Sequence, residues 1–189
     1  MHFSFGNRPN QRTRAVKGSD LIYEIELGLR DVMCGTQRTI HFEHEGQTQK
    51  ISVKIPQGMI TGKKVRITGK GESSPYGGQP GDLFIQSKVL ADPVFSFDGY
   101  NLTVTREIRV SQSLLGTKVA VPTLDGRELS LTIPPGTRHK TRMRLPGHGL
   151  PHMKGSQKGD LFFIIHSKTP KKLTEEQKKL VEKLADTGM

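Results

Sequence analysis

Three sets of residues in this chain of 189 residues have types and spacings that could support chemistry. His148 and His152 are four positions apart, the spacing at which two imidazoles on one helical face can bind zinc. Asp82 and Asp160 each stand in a Gly-Asp-Leu sequence, and a lone carboxylate can act as a general acid or base. The segment GKGESSPYGGQPGD (69–82) is rich in glycine, as loops that hold phosphate are.

A structural interpretation accounts better for each of these sets. The sequence HGLPH around the two histidines contains glycine and proline, which oppose the helix that a zinc pair would need. The Gly-rich segment lacks the G-x-x-x-x-G-K-[ST] spacing of a phosphate loop, so it predicts a turn-rich connection. Because the aspartates recur in both halves of the chain, each is interpreted as a side chain that bonds the backbone in a turn before a strand. We therefore predict no catalytic residue, no metal site and no cofactor, in a protein that is not an enzyme.

The clearest feature of the sequence is an internal repeat. Residues 55–84 and 133–162 agree at 12 of 30 positions without a gap, at a separation of 78 residues. Both copies begin with Ile-Pro and end with Gly-Asp-Leu-Phe. A repeat of this length predicts two small domains of the same fold.

Alternating apolar and polar residues predict strands in both halves. In the first half they occupy 21–29 (LIYEIELGL) and a hairpin with its turn at 45–46, with a short helical turn that ends at Gly35 between them. In the second half they occupy 101–110 and a hairpin with its turn at 125–126. We therefore expect small β-domains in which the same order of elements occurs twice.

The remaining segments complete the predicted architecture. Residues 91–100 are interpreted as a connector, with Phe95 and Phe97 packed at the junction. Thr174 and Gln177 form a capping-box pattern that predicts the start of a C-terminal helix. The predicted fold is mainly β, with two tandem, homologous, small β-sandwich-like domains followed by a short C-terminal helix. The predicted boundaries are a flexible linker remnant (1–18), a first domain (19–92), a second domain (93–170) and the helix (171–189).

Composition limits the partners and the location. The formal net charge is +11 at pH 7 and the pI is about 9.9, which favours acidic partners, nucleic acid included. A single cysteine, Cys34, excludes an internal disulfide and a Cys-rich zinc site, as is typical of a reducing compartment. The chain contains no apolar run of membrane-spanning length and nothing that resembles a signal peptide. These observations predict a cytoplasmic protein that does not enter a membrane.

An ordered set of segments resembles the C-terminal peptide-binding region of DnaJ-type co-chaperones. The segments are VKIPQG, ITGKGE, GGQPGDLF, DPVFSFDGYNL, LLGTKVAVPTLDG, LTIPPGT and KGDLF, and with the closing TP...L...Q..L pattern they span 20–185. The His-Pro-Asp tripeptide of the J-domain is absent from the sequence, and the segment around 43–50 is too short for zinc-binding cysteine repeats. The resemblance is therefore to the zinc-free class, including its curved-DNA-binding-type relatives.

The resemblance implies a groove for unfolded polypeptide on the first domain. Carried onto matching positions, its lining comprises Tyr23, Ile25, Ile40, Phe42 and Ile85. Alternation alone favours a different interpretation, in which these residues belong to the core of a small sandwich. In the zinc-free class, basic residues near the groove bind the acidic tail of the ATPase chaperone, and the matching positions are Arg38, His41 and Lys50. With 29 basic residues in the chain, a solvated basic face is the alternative.

The resemblance also implies partners. The chain is expected to bind unfolded client proteins, to deliver them to a DnaK-type ATPase, and to form a homodimer through its C-terminal helix. The dimerisation residues are predicted to be Leu173, Leu180, Val181 and Leu184, which form one apolar stripe. A function of another class, sequence-tolerant DNA binding through the basic surface, is the alternative.

Overall fold

Strands form at the alternating segments of the first half in the computed structural model, which describes residues 16–44 and 47–188. The elements are β1 (Leu21–Leu27), α1 (Leu29–Cys34), β2 (Thr36–His44), β3 (Gln47–Ile55), β4 (Lys64–Ile67) and β5 (Leu83–Val89). One sheet has the order β1-β5-β4, with β1 parallel and β4 antiparallel to β5. β2 and β3 form an antiparallel hairpin, and its predicted turn at 45–46 lies outside the described residues.

The second half contains the same elements with one additional strand. They are β6 (Phe95–Asp98), β7 (Asn101–Arg109), α2 (Val110–Leu115), β8 (Thr117–Pro122), β9 (Glu128–Ile133), β10 (Arg142–Leu145) and β11 (Leu161–Lys168). The larger sheet has the order β10-β11-β7-β6, with β7 parallel to β11, and β8 and β9 form an antiparallel hairpin. A C-terminal helix, α3 (Glu175–Asp186), follows.

The chain divides into two compact units, with the division between Leu90 and Ala91. Each unit contains a mixed sheet, a six-residue helix after its first long strand, and a separate hairpin. The prediction of a mainly β chain with two similar units and a short C-terminal helix is confirmed.

The connector interpretation of 91–100 is wrong for its central residues. Phe95–Asp98 forms β6, which pairs antiparallel with β7 and belongs to the sheet of the second unit. The Gly99-Tyr100 turn joins the two strands, and Gly99 has a φ of 56°. Alternation of Phe95 and Phe97 with polar neighbours, followed by Asp-Gly, is a hairpin signal. Because β6 is only four residues long, the signal is weak.

The core of each unit lies on the inner face of its mixed sheet. The largest fully buried side chains of the first unit are Leu27, Val32, Ile55, Met59, Leu83 and Ile85. Those of the second unit are Leu102, Ile133, Leu150, Leu161, Phe163 and Ile165. β5 and β11 alternate buried and half-buried residues along their first five positions, which is the pattern of a strand with one face in the core. Burial of each such side chain contributes about 1.5–3 kcal/mol.

The repeated glycines permit two backbone segments to touch. A Cβ on Gly81 would lie 1.9 Å from the Ser19 carbonyl oxygen, and a Cβ on Gly159 would lie 2.1 Å from the Tyr100 carbonyl oxygen. The segment that enters each sheet therefore packs directly on the Gly-rich loop that precedes its central strand. We call residues 16–20 the entry segment of the first unit.

Asp82 joins the entry segment to the Gly-rich loop in the first unit, as the turn interpretation predicts. Its carboxylate accepts the Gly69 N–H at 2.9 Å and the Lys17 ammonium at 2.9 Å, while its own N–H donates to Asp20 at 2.7 Å. The Gly69 amide, followed by the Lys17 ammonium, holds the pKa of Asp82 below its usual value. The hydrogen bond from Lys17 to Asp82, followed by that to Asp20, raises the pKa of the Lys17 ammonium.

Asp160 repeats the arrangement in the second unit. It accepts the Gly147 N–H at 3.0 Å and the Arg144 guanidinium at 2.6 Å, and its N–H donates to Asn101 at 2.9 Å. The Gly147 amide, together with Arg144, lowers the pKa of Asp160. The repeated Gly-Asp-Leu sequence is therefore a structural corner in both units, and its aspartates are engaged by the backbone.

Candidate peptide-binding site

The five predicted groove residues lie on two separate sheets of the first unit. Tyr23 and Ile25 are on β1, and Tyr23 is the register partner of Ile85 on β5, so the three share one face of the mixed sheet. Ile40 and Phe42 share one face of the β2–β3 hairpin.

Burial separates Tyr23 from the other four. Ile25, Ile40, Phe42 and Ile85 are exposed by only 8%, 3%, 8% and 0%, whereas Tyr23 is half-buried. In this structure the four aliphatic and phenyl side chains pack in the core, as the sandwich interpretation expects. Their role as a groove lining stays a prediction.

The margins of two sheets are the accessible part of this region. Within the described chain, β1 is an edge strand of its sheet and β2 is an edge strand of its hairpin, and we call these edges margins. Odd-numbered residues of β1 exchange hydrogen bonds with β5, as when the Leu21 N–H donates to the Asp82 carbonyl. By alternation, the backbone groups of Ile22, Glu24 and Glu26 point to the outer margin. Such a margin is a template for an added strand.

The predicted basic rim is divided between the two faces of the hairpin. Arg38 alternates with Ile40 and therefore lies on the apolar face, where its guanidinium donates to Asp31 of α1 at 2.9 Å. His41 and Lys50 are cross-strand partners on the opposite, exposed face. The structure therefore brings His41 and Lys50 together and places Arg38 apart from them.

Asp31 is a site-region residue that the sequence interpretation missed. Its carboxylate accepts the Gly28 N–H at 3.2 Å at the start of α1 as well as the Arg38 guanidinium. An acidic residue in the first turn of a helix is a recognisable capping signal. Lys17, which binds Asp82 from 65 positions away, has no comparable signal in the sequence.

α3 exposes the predicted dimerisation stripe. Thr174 caps the helix by accepting the Gln177 N–H at 3.2 Å while the Gln177 side chain accepts the Thr174 N–H at 3.0 Å, so the predicted capping box is present. Leu173, Leu180, Val181 and Leu184 are 44%, 60%, 50% and 40% exposed. Across the described residues, no helix has the length and apolarity to span a membrane.

The other candidate sites carry structural contacts. His152 stacks on Tyr100, with ring centroids 3.8 Å apart, and His148 is exposed. Within 16–44 and 47–188, no three His, Cys, Asp or Glu side chains converge as metal ligands. An open depression of about 500 Å³ beside the entry segment is lined by Lys17 and Asp82, which already bind each other.

Comparison with known proteins agrees with this architecture. The family model described as DnaJ C terminal domain matches residues 21–170, which include both units. The chaperone protein DnaJ of Leptospira biflexa is 41% identical over 75% of this chain and 38% of its own length. DnaJ 2 of Aquifex aeolicus is 43% identical over 95% of this chain and 66% of its own length. The curved DNA-binding protein of Pseudomonas syringae is 36% identical over 97% of this chain and 62% of its own length.

Two mixed sheets with paired hairpins define a tandem β-domain protein, and the chain belongs to the DnaJ C-terminal domain family. It spans less than two thirds of the length of these relatives. The activity of a whole DnaJ protein therefore enters below as a proposal.

Proposed function

We propose that this chain is the client-binding part of a DnaJ-type co-chaperone. An extended, apolar segment of an unfolded protein would bind at the margins of β1 and β2. The observation that carries the proposal is the presence, in a DnaJ C-terminal domain, of two edge strands whose buried sides carry Ile25 and Ile40. The β1 margin offers main-chain contacts and the half-buried Tyr23 ring an apolar contact, while Ile25 and Ile40 support the strands from the core.

Strand addition suits a protein with many clients. Backbone hydrogen bonds from a margin such as Ile22–Glu26 do not depend on the sequence of the client. The half-buried Tyr23 ring supplies an apolar contact with a polar tip, which favours bulky client side chains. The buried residues behind it hold the strand rigid, so little additional order is needed on binding.

Titration of a fluorescein-labelled apolar peptide, followed by anisotropy, tests this site. Tyr23→Ser should weaken binding by about 0.5–1.5 kcal/mol because an aromatic contact is lost. Tyr76→Ser is the matched control, since Tyr76 is 76% exposed in the Gly-rich loop. Polar variants of Ile40 are unsuitable, because that side chain is buried and its replacement would destabilise the unit.

Hydrogen exchange locates the bound peptide directly. Bound peptide should slow exchange at amides of 21–27 and 36–43, while the equivalent strands of the second unit, 101–109 and 117–122, serve as the internal control. Equal protection of both units, or loss of affinity in Tyr76→Ser as great as in Tyr23→Ser, would refute the site.

Delivery of clients to a DnaK-type ATPase would use the exposed pair His41 and Lys50. An acidic tail of the ATPase would bind this pair by charge-assisted hydrogen bonds, while Arg38, on the opposite face of the hairpin, stays bound to Asp31. Lys50→Glu should abolish binding of a Glu/Asp-rich peptide, and Lys54→Glu on the same strand is the control. Equal effects of the two variants would indicate general charge attraction instead.

α3 would join two chains into a homodimer. Its four exposed apolar side chains form a stripe that a second copy of the helix can cover. Two client sites on one dimer would raise apparent affinity through effective concentration. Removal of residues from Leu173 onward should give monomers in light scattering, and a truncated dimer would contradict the assignment.

A second candidate function is binding of nucleic acid. Two observations favour it: the net charge of +11, and the relative that is named a curved DNA-binding protein. Such binding would be dominated by phosphate contacts and would weaken steeply with salt. A gel shift at two salt concentrations tests it, and no retardation at low salt would exclude it.

A further inference from the structure

The outer faces of the two mixed sheets differ in composition. On β11, Phe162, Ile164 and His166 alternate with buried residues and therefore point outward. The β5 equivalents by the 78-residue repeat are Phe84, Gln86 and Lys88. The aromatic residue is shared, so the differences around it distinguish the two surfaces.

The turn before β10 is the first difference. Lys140 has a φ of 63°, and its N–H donates to the Ile165 carbonyl at 2.8 Å. Its repeat equivalent is Gly62, with a φ of 81° and an N–H that donates to the Ser87 carbonyl at 2.8 Å. The same left-handed turn is thus built with glycine in one unit and lysine in the other. A side chain at such a position carries a conformational cost, which points to a use for the side chain.

The residue before Lys140 also differs between the two units. His139 Nδ1 accepts the Ser167 N–H at 3.2 Å, where Thr61 Oγ1 accepts the Val89 N–H at 3.0 Å in the first unit. The hydrogen bond is kept while a hydroxyl becomes an imidazole. The His139 ring lies 5.0 Å from the His166 ring, which places it beside the outer face of β11.

Basic charge accumulates at this turn without acidic partners. Arg138 occupies the position of Ile60, so Arg138, His139 and Lys140 replace Ile-Thr-Gly, while Thr141 stands where the first unit has Lys63. Within the described residues, Arg138, Lys140 and Arg142 form no ion pair, whereas Lys168 is bound to Glu107 at 2.8 Å. On the neighbouring strand, Thr105 is the register partner of Ile164, whereas Glu24 is the register partner of the equivalent residue Gln86 in the first unit.

An aromatic platform adjoins these cations. The Arg142 guanidinium lies 3.5 Å from the centroid of the half-buried Phe162 ring and covers it. Thr103, the register partner of Phe162, and Thr105, the register partner of Ile164, add hydroxyl groups to the same face. Stacked planar groups beside unpaired cations and hydroxyls are the composition of a surface for single-stranded nucleic acid.

From this juxtaposition we infer that the outer face of the second unit binds a single nucleic-acid strand. We call Arg138, His139, Lys140, Arg142, Phe162 and His166 the cationic face. Arg138, Lys140 and Arg142 bind successive phosphates, and an unpaired base stacks on the Arg142–Phe162 pair. The inference gives the second candidate function a site, and it rests on that function.

Charge and shape favour this partner over others. A membrane surface would require protruding apolar side chains, but Phe162 and Ile164 are half-buried in the sheet. An acidic peptide would use the cations and leave the stacking plane unused. A single strand uses both, because every base has a π-face and every nucleotide a phosphate.

Fluorescence anisotropy with labelled 20-nucleotide probes of mixed sequence, about the length that several nucleotide sites need, tests the inference. Three probes are compared, namely single-stranded DNA, single-stranded RNA and duplex DNA. Each probe is titrated with the protein at about 50 mM and at about 200 mM salt. The site variant is Arg138→Gln/Lys140→Gln/Arg142→Gln in the full chain. The matched control is Lys54→Gln/Lys63→Gln/Lys64→Gln, which removes the same charge from exposed positions of the first unit.

The site variant should lose at least about tenfold in affinity for single strands and reduce the salt slope by about 2, as expected for three lost phosphate contacts. The control should change affinity by less than about threefold. Lys140→Gly guards against misfolding of the triple variant, since glycine suits the left-handed turn. It should weaken binding about threefold or more without lowering the thermal midpoint.

The remaining outcomes separate the site from the function. If the wild-type chain binds none of the probes at low salt, nucleic-acid binding itself is excluded. If it binds and the two triple variants weaken equally, the function stands but the cationic face is not its site. Tighter binding of duplex than of single strands would overturn the stacking role of Arg142 and Phe162. A Glu/Asp-rich peptide that displaced the probe at equal concentration would identify the face as a carboxylate site instead.

Discussion

Replacement of Gly81 by alanine should unfold the corner of the first unit. The new Cβ would lie 1.9 Å from the Ser19 carbonyl oxygen, whereas an ordinary contact is about 3.4 Å, so the two backbones must separate by about 1.5 Å. This displacement breaks the hydrogen bonds from the Glu72 N–H to the Ser19 carbonyl, 2.9 Å, and from the Gly81 N–H to the Glu72 carbonyl, 2.8 Å. The clash involves backbone atoms, and these cannot relieve it by a change of rotamer as a side chain can.

The expected cost follows from these losses. Two hydrogen bonds contribute about 1 kcal/mol each, and overpacking adds about 1–3 kcal/mol, for a total of about 3–5 kcal/mol. A small domain has about 5–15 kcal/mol of stability, so a large part of it is lost. Gly77 in the same loop is the control: it has a φ of 69° but nothing within 4 Å of its Cβ, so Gly77→Ala should cost only about 1–2 kcal/mol.

Hydrogen exchange with mass spectrometry in low denaturant is the assay, because it reports each unit separately. Gly81→Ala should raise exchange in β1 and β5 and leave β7 and β11 unchanged. Gly159→Ala, with its Cβ 2.1 Å from the Tyr100 carbonyl oxygen, should do the reverse, with Gly155→Ala as its control. If Gly81→Ala is no less stable than Gly77→Ala, the loop accommodates a methyl group by moving and the corner is not rigid.

Three further predictions concern charge, capping and the core. Since the folded-state pKa values of Asp82 and Asp160 are lowered, their contribution to the free energy of unfolding is complete above about pH 4 and is lost as pH falls below it. In urea melts, the stability of Asp82→Asn and Asp160→Asn should therefore depend less on acid pH than that of wild type. An unchanged pH dependence would contradict the structural role of the two carboxylates. Thr174→Ala should cost about 1 kcal/mol of helix stability, seen as lower ellipticity at 222 nm, whereas Thr174→Ser should not. Ile85→Ala should destabilise the first unit by about 2–5 kcal/mol, whereas Ile22→Ala, at a 62% exposed position of β1, should stay within about 0.5 kcal/mol in the same melts.

The repeat and the local elements could be predicted from sequence because their signals are local. Alternation places β1 and β7, and the Thr174–Gln177 pair places the start of α3 within a few residues. The parallel pairing of β1 with β5 has no such signal, since Leu21 and its partner Leu83 are 62 positions apart. Pairing at that distance depends on how the whole unit packs.

The candidate site was less accessible to sequence reasoning than the fold. Alternation identifies Ile40 and Phe42 as one face of a strand, but it does not tell whether that face meets the core or a ligand. Their exposures of 3% and 8% come only from tertiary packing. Arg138, Lys140 and Arg142 stand within five consecutive residues, but the Phe162 ring that Arg142 covers is brought to them only by the pairing of β10 with β11. The φ of 63° at Lys140, which marks the turn as unusual, is likewise visible only in the structure.

The entry segment has a consequence for synthesis of the chain on the ribosome. It lies at the start of the first unit and is held by Asp82 and the Gly-rich loop, near the end of that unit. The corner therefore closes only after β5 has left the exit tunnel, but it needs no residue of the second unit. Nascent chains stalled with residue 90 outside the tunnel should resist protease, and chains stalled before β5 should not. Folding the first copy before the second is made keeps two similar sequences from exchanging strands.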